Sequence, residues 1–228
     1  MVIDVRDILP ESVLKAIRLR YRAGVYEAEH AHQDAAANED ALTGALGALI
    51  RAQGAVFVDV GDGRMFRVEM RYSHVRGHGP GAPEKKYGTD GIFQIAVVDD
   101  RDGRRIVTKG LPFQAKSKWS KRDVLRQAQA MDSGVAPGIV VEYLPGHYSA
   151  CLTRDVLAHG GSKRAIVRSG SMHALGELLA GDFLDCTVGT RGLFYDGEHE
   201  VFATAPSDLH IMTTEVLRMR DVIRASDD

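Results

Sequence analysis

Apolar residues recur at helical spacing in two stretches near the start of the chain. The first stripe consists of four residues spaced four apart, namely Val13, Ile17, Tyr21 and Val25. It predicts a helix from Glu11 to about Ala31, because this spacing places the four side chains on one face. A second stripe is formed by Leu42, Leu46 and Leu49. Asn38 is a favourable N-cap before it and Gly54 a natural end, so the pattern predicts a second helix between them.

The middle of the chain changes to the patterns of β-strands. Five segments are apolar or alternating and are bounded by turn residues: 55–60, 64–75, 90–98, 113–118 and 139–144. Further helices are predicted at 120–131, 153–159 and 175–184, and a final hairpin at 192–203. The order is helices, then antiparallel hairpins, then strand–helix–strand. It predicts the α/β class, with a mixed central β-sheet flanked by helices.

Composition places few limits on function. The chain has 228 residues, of which 44% are hydrophobic and 26% charged, so a single domain spanning 1–228 is expected. No apolar stretch approaches the length of a membrane span, and the acidic, mixed N-terminus is unlike a signal peptide. Cys151 and Cys186 stand alone without metal-ligand spacing. We therefore expect a cytoplasmic protein with reduced thiols and no membrane partner.

One segment is locally basic although the net charge of the chain is −2. Between positions 104 and 122 there are seven basic residues and no acid: Arg104, Arg105, Lys109, Lys116, Lys118, Lys121 and Arg122. Such a run is either a solvated face or a surface that contacts phosphates. Charge alone leaves these two alternatives equally open.

Three polar residues accompany the apolar strand patterns in the middle of the chain. Asp90 begins one run within "GTDG", and Gln114 and Lys116 lie two apart in "FQAK". A buried strand has little use for an amide and an ammonium group on the same face. Gln114 and Lys116 indicate a functional site only if Asp90 lies beside them.

The strand register decides whether these side chains can meet. If Asp102-Gly103 forms a two-residue hairpin turn, Asp90 faces Ala115, so Gln114 and Lys116 point to the opposite side of the sheet. A one-residue bulge would place Asp90 on their side. Gly110 and Pro112 are positions where a regular ladder is expected to break. Sequence therefore permits the convergence without requiring it.

Glu39 lies on the apolar stripe of the second helix, three residues before Leu42. An acid in the first turn is commonly a partner of the helix dipole in water, but this face is expected to pack on the sheet. Asp90 and Glu39 offer anionic oxygens and Gln114 a neutral one, which are ligands for hard divalent cations. Lys116 beside such an ion can orient water or stabilise a phosphoryl transition state. These residues predict metal-assisted phosphodiester hydrolysis. Glu69, on an earlier strand, is either a further ligand or an acid that faces solvent, and the second is the more common case.

The series Glu39, Asp90, Gln114 and Lys116 resembles the PD-(D/E)XK nuclease superfamily. It is most similar to the variant with Gln in place of the second acid, as in Mrr-like restriction endonucleases and the nuclease domains of bacterial antiphage effectors. The resemblance covers about 38–145, with the remaining C-terminal residues as an extension of the same domain. It implies a restriction-endonuclease-like fold, a Mg²⁺- or Mn²⁺-dependent DNA endonuclease, and the Ala115 carbonyl as a further metal ligand.

Nucleic acid and other protein chains are the expected partners. The residues assigned to nucleic-acid contact are Lys109, Lys118, Lys121, Arg122 and Gln127, the last on the helix that the resemblance places near the site. Double-stranded DNA is the expected substrate, and a homodimer would let two sites cut opposite strands. The resemblance also implies partner subunits of a defence complex. The alternative is a non-catalytic nucleic-acid-binding or scaffold module with a decayed nuclease fold, which the missing second acid favours.

Overall fold

The structure is a computed structural model that describes residues 4–35, 38–61, 63–76, 89–134, 136–195 and 208–219. It belongs to the α/β class, with helices on both faces of a mixed β-sheet in which most neighbouring strands are antiparallel. The predicted fold class is therefore confirmed at this level. In the described ranges, no helix combines the length and the apolarity needed to cross a membrane.

Seven α-helices are formed within the described residues. Their bounds are α1 Val5–Ile8, α2 Glu11–His30, α3 Glu39–Ala52, α4 Lys121–Gly134, α5 Thr153–Ala158, α6 Lys163–Arg168 and α7 Leu175–Leu178, the last continuing as a π-helical turn over Leu179–Phe183. A 3₁₀ turn, His32–Ala35, lies between α2 and α3. The predicted stripe of α2 is buried, and the Asn38 side chain accepts a hydrogen bond from the Ala41 N–H at 2.8 Å. Both N-terminal helices are thus confirmed.

The strands form one sheet that spans most of the described chain. Their bounds are β1 Ala55–Asp59, β2 Met65–Arg76, β3 Gly91–Asp99, β4 Arg105–Lys116, β5 Ile139–Leu144, β6 His147–Leu152, β7 His173–Ala174, β8 Thr190–Arg191 and β9 Asp208–Arg218. The order across the sheet is β1-β2-β9-β3-β4-β5-β6-β7, and β8 pairs with β4. β3 runs parallel to β9 and β4 runs parallel to β5, whereas the other pairs are antiparallel.

The C-terminal part of the chain supplies a central strand. β9 lies between β2 and β3, so the sheet extends well beyond the 38–145 segment that the resemblance covers. Neither β9 nor β6 was predicted from the sequence. β6 forms a tight hairpin with β5 through Pro145 and Gly146. The hairpin predicted at 192–203 lies mostly outside the described residues, and 192–195 do not form a strand.

The register of β3 and β4 differs from the one predicted from a two-residue turn. The chain turns over four residues, Asp100 to Gly103. The register shifts by one residue just before this turn, at a bulge between Val97 and Val98. Gly91 therefore faces Phe113, which places Asp90 beside Gln114. The ladder passes without a break through Gly110 and Pro112. The bulge that the convergence required is thus present, but at the turn end of the hairpin.

Apolar side chains from the two faces of the sheet make separate cores. Helices α2 and α3 cover the face that carries Phe93, Phe113 and Ala115. Helix α4 covers the other face, where Val124 and Ala128 pack against Val140 of β5. Gln114 pairs with Val140 in the parallel ladder, so its side chain points to the α4 face. The first turn of α3 lies at the end of β4, where Glu39 accepts the Ser117 N–H.

Candidate metal and nucleic-acid site

Asp90 is fixed at the entrance to β3 by its backbone and its carboxylate. Its N–H donates to the Phe113 carbonyl at 2.9 Å, and its own carbonyl accepts the His210 N–H at 2.9 Å. Carboxylate oxygen Oδ2 accepts the Ala115 N–H at 2.7 Å and also the Gln114 side-chain amide. Asp90 is therefore held between the two neighbouring strands, β9 and β4.

Gln114 is buried and its two amide atoms have different surroundings. Nitrogen Nε2 donates to the Asp90 carboxylate and, at 3.3 Å, to the Ala115 carbonyl. Oxygen Oε1 is fully buried and has no hydrogen-bond donor among the described residues. Leaving a buried acceptor unsatisfied costs about 1–3 kcal/mol. The orientation of the amide therefore presents a buried oxygen beside an anchored carboxylate.

Glu39 is the first residue of α3 and reaches the end of β4. One carboxylate oxygen accepts the Ser117 N–H at 2.9 Å and the Ser117 hydroxyl at 3.2 Å. The other lies 3.5 Å from the Lys116 ammonium group. The Glu39 side chain remains 35% exposed while that of Lys116 is only 9% exposed. Glu39 is thus tied to the strand that carries Gln114 and Lys116, and does not act solely as a dipole partner of its own helix.

Both carboxylates act on one buried hydroxyl group, that of Tyr143. Burial raises the pKa of Tyr143, and the negative charges of Asp90 and Glu39 raise it further. The Tyr143 hydroxyl lies 3.1 Å from that of Thr43, which is in α3. Both acids therefore lie near the Tyr143 hydroxyl. The structure joins the four residues in two contacting pairs, Asp90 with Gln114 and Glu39 with Lys116, and the second member of each pair lies on β4.

Glu142 is an additional acid beside the site. It pairs with Lys116 across the parallel β4–β5 ladder and is 2% exposed. One of its oxygens accepts from the Lys163 ammonium at 2.6 Å, whereas the other is buried without a hydrogen-bond partner in the described part of the chain. In the sequence, Glu142 is distinguished only as the single acid within the otherwise apolar segment "IVVEYL".

A group of imidazoles and a carboxylate lies on the other side of β3. Asp40, His74 and His210 offer ligand atoms that all lie within 4.8 Å of one another. The residues come from α3, β2 and β9, so they are far apart in the sequence and form no local motif. The only local signal was that Asp40 directly follows Glu39 in the first turn of α3.

The basic run is divided by the strand that carries it. Lys118, Lys121 and Arg122 are exposed just beyond the end of β4. Arg105 is at the opposite end of this strand, about 35 Å from Lys116 at an ordinary strand rise. The seven residues do not form one surface. Lys116 belongs to the site itself, and Lys118, Lys121 and Arg122 follow directly after it.

Lys109 must be removed from the phosphate-contacting set. It is 1% exposed, its ammonium group donates to the Phe183 carbonyl, and it lies 4.9 Å from the centre of the Phe183 ring. Burial lowers the pKa of Lys109. The prediction that it contacts nucleic acid is wrong, because a side chain enclosed in this way cannot reach a phosphate.

Trp119 and the candidate ligand Glu69 each have structural surroundings of their own. The Trp119 indole N–H donates to the Gly161 carbonyl at 3.0 Å, and its ring packs against the core under α4. Glu69 pairs with Arg67 and Arg71 on β2, which β9 separates from β3. Packing accounts for the position of Trp119, and ion pairing accounts for that of Glu69. Gln127, on α4, has a buried amide oxygen without a partner among the described residues.

No protein-family model matches the chain, and comparisons with curated proteins and with solved structures gave no significant match. The resemblance to PD-(D/E)XK nucleases therefore stays a prediction. It rests on the residue series and on the contacts that unite Asp90 with Gln114 and Glu39 with Lys116.

Proposed function

We propose that this protein is a metal-dependent phosphodiester hydrolase that cleaves DNA and has a restriction-endonuclease-like fold. The observation that carries the proposal is the pairing of an anchored carboxylate with a buried amide oxygen to which none of the described residues donates a hydrogen bond. Asp90 is held by Gln114 and the Ala115 N–H, and Oε1 of Gln114 is left to face a cation. Lys116 lies two residues further along β4, and Glu39 of α3 contacts Lys116 and Ser117 there.

The donor set fits a hard divalent cation. Asp90 and Glu39 provide carboxylates, Gln114 a neutral oxygen and Ala115 a backbone carbonyl, and Mg²⁺ prefers ligands of this kind. The exposed fraction of Glu39 leaves room for water and for a phosphate oxygen. When bound, Mg²⁺ or Mn²⁺ supplies a more acidic water and neutralises charge on the phosphoryl oxygens.

The protein residues position the nucleophile and stabilise charge. The Lys116 ammonium group, 3.5 Å from Glu39, is placed to orient the attacking water and to stabilise the negative charge that grows on the phosphoryl group. Ser117 fixes the Glu39 carboxylate through its N–H and hydroxyl. Gln114 fixes that of Asp90 in the same way, so both acids are oriented before the substrate arrives.

DNA would approach from the end of β4. Lys118, Lys121 and Arg122 are exposed there and are suited to phosphate contacts that are independent of base sequence. A single site cuts one strand, so we further propose that two copies act together on duplex DNA, with or without partner subunits of a defence complex.

Cleavage assays on the full chain test this proposal. Metal-free protein receives Mg²⁺ or Mn²⁺ and is offered supercoiled plasmid, linear duplex, single-stranded DNA and RNA. We expect metal-dependent cutting of duplex DNA that Asp90→Asn and Lys116→Met each reduce at least about 100-fold. Asp123→Asn is the matched control, because this exposed acid pairs with Arg126 on the surface of α4 and should keep full activity.

Two other outcomes have distinct meanings. Tight DNA binding with no cleavage by the folded wild-type protein under any of these metals would identify the binding or scaffold module instead. Cleavage that persists at the normal rate in Asp90→Asn would show that the assigned site is not the catalytic one.

A further inference from the structure

Asp40, His74 and His210 form a compact group where α3 meets β2 and β9. The Asp40 carboxylate lies 2.8 Å from Nε2 of His210 and 3.7 Å from Nε2 of His74. The two imidazole rings stack with centres 4.0 Å apart and planes 13° from parallel. They belong to residues that face each other in the β2–β9 ladder, so the sheet itself sets their separation. One carboxylate and two imidazoles therefore converge from three elements.

We propose that this group is a second metal site, which takes a divalent transition metal of the zinc type. Imidazole nitrogens and carboxylate oxygens are the ligands of Zn²⁺ at about 2.0–2.2 Å, and atoms that share one ion lie about 3–3.5 Å apart. The three ligand atoms here lie within 4.8 Å of one another. Small side-chain rotations bring them to one ion. Mg²⁺ prefers oxygen ligands, so the two imidazoles favour a zinc-type ion over Mg²⁺ at this group.

The surroundings of His210 support metal binding. Its Nδ1 lies 2.9 Å from the Tyr72 hydroxyl. When Nδ1–H donates to that oxygen, Nε2 presents its lone pair to the Asp40 carboxylate at 2.8 Å, and a cation between the two satisfies both. His210 is 4% exposed and is held by its strand, whereas the Asp40 side chain is 55% exposed. An ion can therefore enter from the side of Asp40.

Close packing holds Tyr72 in place as the outer partner of His210. Its ring lies directly against Gly47 of α3, where an added Cβ would come within 2.2 Å of a ring carbon. A larger residue at position 47 would displace Tyr72 and with it the hydrogen bond to His210. The glycine thus gives the group a fixed outer shell.

Metal titration of the full chain tests the site. Co²⁺ is the probe, since its visible absorption reports coordination, and Zn²⁺ is then measured by competition against a coloured chelator. We expect one Zn²⁺ per chain, and a melting temperature raised by about 5–10 °C at a hundredfold excess over Kd. Asp40→Asn and His74→Gln should each weaken Zn²⁺ binding at least about 10-fold.

Glu39→Gln is the matched control, because it removes the neighbouring acid of the same helical turn. It should leave Co²⁺ absorption and Zn²⁺ affinity unchanged, as should Asp90→Asn. These two variants separate this proposal from the proposed nuclease site, whose failure would leave the zinc result intact. Circular dichroism of each variant confirms that it is folded.

Three results would overturn the proposal. The folded wild-type chain could show no stoichiometric Co²⁺ or Zn²⁺ binding. Affinity could survive in both Asp40→Asn and His74→Gln, which would assign the ion to other residues. The Zn²⁺ affinity could instead fall in Glu39→Gln and Asp90→Asn, which would place the ion at the other site. If no metal binds, the contact between Asp40 and His210 is only a hydrogen bond.

Discussion

Glu39 and Asp40 are consecutive residues, yet their carboxylates contact strands on opposite sides of β3. Glu39 binds Ser117 just after β4, and Asp40 binds His210 on β9. Successive helix residues point about 100° apart, so one turn of α3 can serve two places. Asp90 lies between them at the start of β3. The first turn of α3 therefore joins the two candidate sites.

Substitutions of Glu39 and Asp40 should have different effects on DNA cleavage. Glu39→Gln should reduce Mg²⁺-dependent DNA cleavage at least about 100-fold, because it removes a carboxylate from the site that holds the phosphate. Asp40→Asn should change the rate by less than about threefold when no transition metal is present. Initial rates of plasmid nicking across a Mg²⁺ titration measure both. Equal losses in the two variants would mean that the clusters work as one site.

Gln114→Glu tests the unusual amide. A carboxylate at 114 cannot donate to Asp90, and without metal the two negative charges repel. We expect a lower melting temperature in EDTA and a larger rise on adding Mg²⁺ than the wild type shows. Thermal melts with and without Mg²⁺ measure this.

Gln94→Glu is the control for that experiment. Gln94 is buried on β3, where it bonds the Tyr195 backbone and the Thr213 hydroxyl. The variant should be destabilised in the same way but gain nothing from Mg²⁺. Equal Mg²⁺ effects in both variants would contradict a metal at Gln114.

Asp90 also has a structural role. In Asp90→Ala the buried Ala115 N–H loses its acceptor, so we expect a loss of about 1–3 kcal/mol in the free energy of unfolding. Asp90→Asn keeps an oxygen acceptor and should lose less. Urea unfolding in EDTA measures the difference, and an Asp90→Ala protein as stable as the wild type would show that the Ala115 N–H finds another acceptor.

Lys109 and Lys118 should behave differently despite their proximity in sequence. Lys109→Ala should cost about 2–4 kcal/mol of stability, because it leaves a cavity beside Phe183 and removes a buried hydrogen bond. The folded fraction should still bind DNA normally. Lys118→Ala should keep the stability, weaken binding to all DNA sequences alike, and lower the salt slope by about one. The converse pattern would reinstate Lys109 in the DNA-contacting surface.

High pH should destabilise the protein through Cys151. Burial, and then the nearby acids Asp155 and Glu142, raise the pKa of its thiol from an ordinary value of 9.0 to about 12. A raised pKa favours the protonated thiol in the folded state, so stability is retained below pH 9 and falls between pH 9 and 12 as the unfolded thiol ionises.

Urea unfolding at pH 8, 9 and 10 measures this effect in a Cys186→Ser background, which leaves one thiol. The free energy of unfolding should fall by up to about 1.4 kcal/mol per pH unit beyond pH 9. Cys151→Ala in the same background is the control and should lose less over that interval. Matching slopes in the two proteins would show that the Cys151 thiol ionises as easily folded as unfolded.

The two helices near both sites follow from local sequence patterns alone. The apolar spacing of α2 and α3 and the Asn38 cap were sufficient, because they depend on residues within one or two turns of each other. The residue types, with Asp just before β3 and Gln and Lys in β4, also indicated oxygen-ligand chemistry without any tertiary information.

Tertiary structure decided which of those residues meet. A one-residue shift at the turn end of β3 and β4 placed Asp90 beside Gln114, and sequence could not locate it because several positions tolerate a bulge. In the sequence, Lys109 cannot be distinguished from the other basic residues of 104–122. Its position on β4, however, places its side chain against Phe183. His210 joins Asp40 and His74 because β9 inserts between β2 and β3, a pairing set by contacts far apart in the chain.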